Sequence, residues 1–79
     1  MNVREELMEI LEDLHPEVDF ETEDALVSGK VLDSFDIVNL VTELDDAFDI
    51  EITAADLVPE NFDTVDGIAE LIMKRMEDI

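Results

Sequence analysis

The sequence contains no cysteine, which excludes a disulfide framework, a thiol nucleophile and a thiolate metal ligand in the chain itself. It has no tryptophan, no tyrosine, one histidine, and only two glycines and two prolines. No stretch approaches the roughly 20 apolar residues that a membrane-spanning helix needs. The opening Met1-Asn2-Val3-Arg4-Glu5-Glu6 lacks the apolar centre of a signal peptide. The expectation is therefore a cytoplasmic protein without membrane insertion. Cations are the scarcest charged class: Arg4, Lys30, Lys74 and Arg75 stand against 24 acids, for a formal net charge of −20. Such a chain repels nucleic acid and anionic membrane surfaces and attracts basic protein patches. It also repels itself, so added salt or divalent cations are expected to raise its melting temperature. A melting temperature flat across ionic strength would contradict this.

What is present is enough for one small folded unit. Hydrophobic residues make up 47% of the 79-residue chain, which suits a single domain over residues 1–79 with one modest core. Val3, Leu7, Ile10, Leu11 and Leu14 recur at helical spacing and predict a first amphipathic helix over 2–14, with Met8 off the stripe. Pro16 ends it at His15, whose ring is expected to meet the helix's last carbonyls. Residues 15–33 form a long connection whose apolar members, among them Phe20, Leu26, Val31 and Leu32, predict packing over a bundle. A short helical turn near Asp24–Val27 is expected within it, with a two-strand arrangement as the alternative.

The stretch Val31 to Leu44 organises the rest. Asp33 is a good helix N-cap, and Asp36 three residues on is an acidic capping-box partner, so the helix starts at Ser34. Ser34 then sits at the positive end of the helix dipole with its hydroxyl toward solvent, where a phosphate is favoured. Ile37, Val38, Leu40, Val41, Leu44, Ala47 and Phe48 share an apolar arc that predicts a core face as far as Phe48. The other side carries Asp36, Asn39, Thr42, Glu43 and Asp46, with Phe35 among them. An aromatic in that place either awaits a partner or folds half-buried under the preceding loop. Asp49-Ile50-Glu51-Ile52 reads as extended. Thr53-Ala54-Ala55-Asp56 starts a short helix that Pro59 stops. Asp63 or Thr64 caps a last helix over 65–78, with Val65, Ile68, Ala69, Leu71, Ile72, Met76 and Ile79 inward and Gly67 allowing close approach by a neighbour. The fold class is all-α: a four-helix bundle of three long helices and one short, with a long first loop.

Little chemistry is available to this chain alone. A catalytic triad lacks its parts, since the one histidine lies on another helix and no cysteine or nearby lysine offers a base for Ser34. An EF-hand loop starting at Asp45 fails at Ala47 and Ile50, so no dedicated metal site is expected. What remains is a serine acted on by another protein.

Leu32-Asp33-Ser34-Phe35-Asp36 with Ile37-Val38-x-Leu40-Val41 resembles the phosphopantetheine attachment site of the acyl carrier protein family. The resemblance continues through Phe48-Asp49-Ile50-Glu51-Ile52 and Phe62-Asp63-Thr64-Val65 and covers nearly the whole chain. Ser34-Phe35 and Asn61-Phe62 look most like the D-alanyl carrier branch. Val31 stands where carriers of fatty acid biosynthesis usually have glycine. The resemblance implies an acyl-carrier-like bundle, no enzyme activity, and a covalent 4'-phosphopantetheine from coenzyme A on Ser34, beside its cap Asp33. It implies a phosphopantetheinyl transferase, an acyl- or aminoacyl-activating ligase, and a downstream acyltransferase or synthase as partners with basic docking patches. These would meet a monomer at Phe35, Asp36, Asn39, Thr42, Glu43 and Asp46. Val38, Val41, Leu44 and Ile52 would line an opening for an acyl chain, ordinary core packing being the alternative. The competing function class is an acidic interaction module that mimics charge and carries no prosthetic group. It accounts for the −20 but not for the capped serine.

Overall fold

The computed structural model describes residues 2–77, and every regular element among them is helical. Helix α1 spans Val3–Leu14, α2 spans Ser34–Phe48, a single 3-10 turn spans Ala54–Asp56, α3 spans Pro59–Phe62 and α4 spans Val65–Glu77. This is the expected bundle of three long helices and one short. No strand occurs among the described residues, which removes the two-strand arrangement of the first loop. Residues 78 and 79, to which the last helix and its apolar face were expected to extend, lie outside the described residues.

Each long helix starts at a side-chain cap. Asn2 accepts from the Glu5 N–H at 2.8 Å, and Asp33 and Asp36 form the reciprocal capping box. Thr64 Oγ1 accepts from the Gly67 N–H at 2.9 Å, so Thr64 is the cap of α4 and Asp63 is free for another task. The Asp63 carboxylate accepts from Val27 N–H, Ser28 N–H and the Ser28 hydroxyl at 2.7–2.9 Å. The Leu26 N–H donates to its carbonyl at 3.0 Å. One acid at the α3–α4 corner thus pins the middle of the long loop, a contact across 35 residues that no local pattern announces. Residues 25–30 make a hydrogen-bonded turn there rather than helix. Gly29 is required in it: a Cβ would stand 2.6 Å from the Ala25 carbonyl oxygen.

The core is built from Leu7 and Leu11 of α1, Leu40 and Leu44 of α2, Phe62 of α3, and Val65, Ile68, Ala69, Leu71 and Ile72 of α4. Phe20, Leu26 and Leu32 close it from the loop, as their apolarity predicted, and Ile52 enters after α2. Met8 joins its edge although it lies off the α1 stripe. Gly67 does permit close approach, by α3: an added Cβ would lie 3.2 Å from the Asn61 carbonyl oxygen.

Four local expectations are corrected. The apolar arc of α2 is narrower than its sequence suggests: Val38 is 60% exposed and Ala47 is exposed. At 100° per residue, Val38 points about 140° away from the middle of the Leu40–Leu44 face, beyond the reach of α1 and α4. Met76 of α4 is likewise exposed. Asp49 is not extended but caps α2 in the left-handed region, at φ 54°, where the chain reverses so that Ile52 N–H can meet Asp45 Oδ1 at 3.0 Å. Pro59 begins a helix rather than ending one. The 3-10 turn is over by Asp56, and proline suits the first position of α3 because that position needs no N–H. Arg75 of α4 donates through Nε to Asp56 at 2.9 Å and fastens the 3-10 turn to the bundle.

Candidate functional site

The front of α2 is set by two acids. Asp33 Oδ1 accepts from the Asp36 N–H at 2.9 Å, and Asp36 Oδ2 accepts from the Asp33 N–H at 3.3 Å. Asp33 is extended, at φ −96° and ψ −178°, which turns the chain sharply into the helix. Ser34 follows as the first helical residue, exposed, and no hydrogen bond among the described residues engages its hydroxyl. Leu32 is buried just before the cap, so the serine is presented from an anchored backbone.

Phe35 stands 75% exposed next to Ser34, which decides against its folding under the loop. Asn39, Thr42 and Asp46 continue its row in solvent. The Thr42 hydroxyl donates to the Val38 carbonyl at 2.9 Å. Thr42, Glu43 and Asp46, with Asp45, line a shallow depression of about 420 Å³. Glu43 also borders a second groove of about 540 Å³ toward α1, where it meets Glu6, Glu9, Glu12 and Asp13. Five carboxylates facing one another there give the expected salt stabilisation a location. Exposed Val38, which sequence periodicity assigned to the core, adds apolar surface beside this row. The residues suggested for an acyl opening do not behave alike: Leu44 and Ile52 are packed in the core, where ordinary packing accounts for them, while Val38 is in solvent.

Asp36 is not in the open row. Its side chain is only 20% exposed, because His15, the C-cap of α1, covers it, with Nε2 2.9 Å from Asp36 Oδ2. The other ring nitrogen, Nδ1, lies 2.9 Å from Glu17 Oε1. The ring therefore meets two carboxylates instead of the expected helix carbonyls, since a charged partner gives the stronger bond. Glu17 chiefly, then Asp36, raise the His15 pKa above its ordinary 6.5. Burial pushes the Asp36 carboxyl up, but His15 and the Asp33 N–H outweigh it and leave its pKa below 3.8. The Arg75 guanidinium lowers Asp56, and the Ser28 N–H and hydroxyl lower Asp63.

These shifts pull stability in opposite directions with pH. The raised His15 contributes stability that is complete below 6.5 and lost as pH rises through its folded value. The lowered carboxyls contribute stability that is complete above 3.8 and lost as pH falls through theirs. The melting temperature is therefore expected to peak in a mildly acidic window, about pH 4.5–6.5, and to decline toward pH 8. A melting temperature that climbs steadily from pH 5 to pH 8, by calorimetry at fixed ionic strength, would contradict this.

The fold and the front of α2 together define a class: a small acidic helical bundle that displays one capped, unengaged serine. Comparison with known proteins agrees. The family model described as phosphopantetheine attachment site matches residues 2–72. The D-alanyl carrier protein of Streptococcus sanguinis strain SK36 is 35% identical over 77 residues, covering 90% of this chain and 96% of that protein. The D-alanyl carrier protein of Streptococcus gordonii strain Challis matches with the same identity and coverage. The chain belongs to the family of phosphopantetheine-binding carrier proteins, which are carriers and not enzymes.

The family's prosthetic group is covalently attached 4'-phosphopantetheine, and the residues present fit it. A free hydroxyl is needed, and Ser34 has one. The phosphate needs a favourable potential, and the unpaired N–H groups opening a 15-residue helix supply it. When bound, the group provides a thiol for thioester chemistry, which a cysteine-free chain cannot provide. Among the described residues no cluster suited to a metal ion occurs and no helix is long and apolar enough to cross a membrane.

Proposed function

We propose that the whole chain is a single carrier domain whose Ser34 Oγ receives phosphopantetheine from coenzyme A as a phosphodiester, and that the loaded arm carries an aminoacyl group of the D-alanyl type. The observation that carries this reading is the exposed, unengaged Ser34 hydroxyl behind its Asp33 cap. The cargo rests on the two D-alanyl carrier relatives and on Ser34-Phe35 with Val31 in the preceding loop. Loaded protein incubated with ATP, D-alanine and a D-alanine-activating ligase is expected to gain a hydroxylamine-labile alanyl thioester. Loading of fatty acyl groups by an acyl ligase, with none of D-alanine, would overturn the cargo.

Partner enzymes are a phosphopantetheinyl transferase, an activating ligase and a downstream acyltransferase, each meeting the α2 face with basic residues. Phe35, Asn39, Thr42 and Asp46 form the open part of that face, with Asp36 and Glu43 on the flank toward α1. Encounter is steered by the −20 charge and the contact is small, which suits a shuttle that must also leave. The same charge opposes self-association, so the carrier acts as a monomer in the cytoplasm. Phe35→Ala and Glu43→Lys are each expected to lower the kcat/KM of ligase loading about tenfold while leaving helicity intact. Unchanged loading in both variants would rule out this face.

A further inference from the structure

His15 has no part in the carrier chemistry described above, yet it touches the front of α2. It is the C-cap of α1, held by its own N–H on the Leu11 carbonyl at 2.8 Å. Its ring reaches across to Asp36 Oδ2, the oxygen that also accepts from the Asp33 N–H. A continuous path therefore runs from His15 through Asp36 to Asp33, the residue before Ser34. We propose that His15 is a positioning residue for Ser34: by holding the Asp36 carboxylate it keeps the capping box closed, in the form that a phosphopantetheinyl transferase loads.

The geometry selects the charged ring. The groups in contact with it are Glu17 from the following loop and Asp36 from α2, one carboxylate on each nitrogen. A neutral imidazole carries one proton and would turn a lone pair toward one of these carboxylates, whereas the imidazolium places a positive N–H beside each. The two contacts are unequal. Nδ1 and Glu17 form an aligned hydrogen bond, while Nε2, shielded from solvent, lies close to Asp36 without an aligned one. Deprotonation therefore leaves the remaining proton on Nδ1 and releases Asp36. Asp33 and Asp36 then face the incoming phosphate with no cation on Asp36, and the first turn loses its external tie. Loading by the transferase falls as His15 loses its proton.

The inference rests on Ser34 as the attachment residue, and the test separates the two. The rate of arm transfer from coenzyme A is measured across about pH 6–9 and divided by the transferase's rate on a histidine-free carrier, while the His15 ring is titrated by NMR. The normalised rate is expected to fall about three- to tenfold through the His15 midpoint. His15→Gln is expected to give a pH-independent rate near the high-pH limit of the native chain. Glu17→Gln is expected to move both the NMR midpoint and the rate midpoint down together. A flat profile for the native chain, or a His15→Gln profile like the native one, overturns the proposal. If His15→Gln loses its helical circular dichroism, Glu17→Gln decides: a rate midpoint that stays while the NMR midpoint moves overturns it. Failure of the native chain to load at any pH removes the attachment reading itself.

Discussion

Replacing Phe62 by alanine is expected to cost about 3–5 kcal/mol and to leave a large part of the population unfolded in dilute buffer. Phe62 is 1% exposed and closes α3, a helix of four residues with no side-chain cap. A helix that short has no stability of its own, so burial of the ring is what fixes it against α4. The next residue, Asp63, anchors Leu26, Val27 and Ser28, so losing α3 also loosens the long loop. Against this stands the total available to a 79-residue domain, about 4–12 kcal/mol. Self-repulsion from the −20 charge presses that figure toward its lower end. Urea denaturation followed by far-ultraviolet circular dichroism checks the expectation, and an unchanged midpoint would contradict it. Urea suits the purpose because an ionic denaturant would also screen the repulsion.

Most of the fold was legible because its signals are local. Cap residues, helical periodicity and Pro16 place α1 and α2, and the Asp33–Asp36 box marks the start of the central helix to the residue. The same short-range reasoning misplaced the minor helix. Thr53 to Asp56 does make its box-like turn, but Pro59 could be read as a stop or as a first helical residue, and only tertiary packing of Phe62 decides between them. Asp63 and His15 were beyond reach for a different reason. Each acts on residues far along the chain, Asp63 on Ser28 and His15 on Asp36, and no pattern within one helix encodes such a contact. Val38 shows the limit of a helical wheel, which gives the direction of a side chain but not whether a neighbour stands there.

At the site, Ser34 and its cap could be read from sequence, because a helix start needs only its own few residues; the exposure of Phe35 could not, because it depends on where the preceding loop runs. The covering of Asp36 could not, since it depends on where the end of α1 lies. The face proposed for partners is accordingly uneven: an open row led by Phe35, and a flank where Asp36 is shared with His15 and Glu43 with the acids of α1.

Ser34→Ala is expected to abolish arm attachment while leaving the bundle folded. The side chain is exposed and makes no hydrogen bond among the described residues, and the cap belongs to Asp33. Alanine also has high helix propensity, so stability is expected to change by no more than about 0.5 kcal/mol. A folded chain that cannot be loaded separates chemistry at this oxygen from any effect on structure. Intact mass spectrometry after incubation with coenzyme A and a broad-specificity phosphopantetheinyl transferase reads this directly. The native chain should gain one phosphopantetheine and Ser34→Ala none; attachment to the alanine variant, or none to the native chain by any competent transferase, would contradict the account.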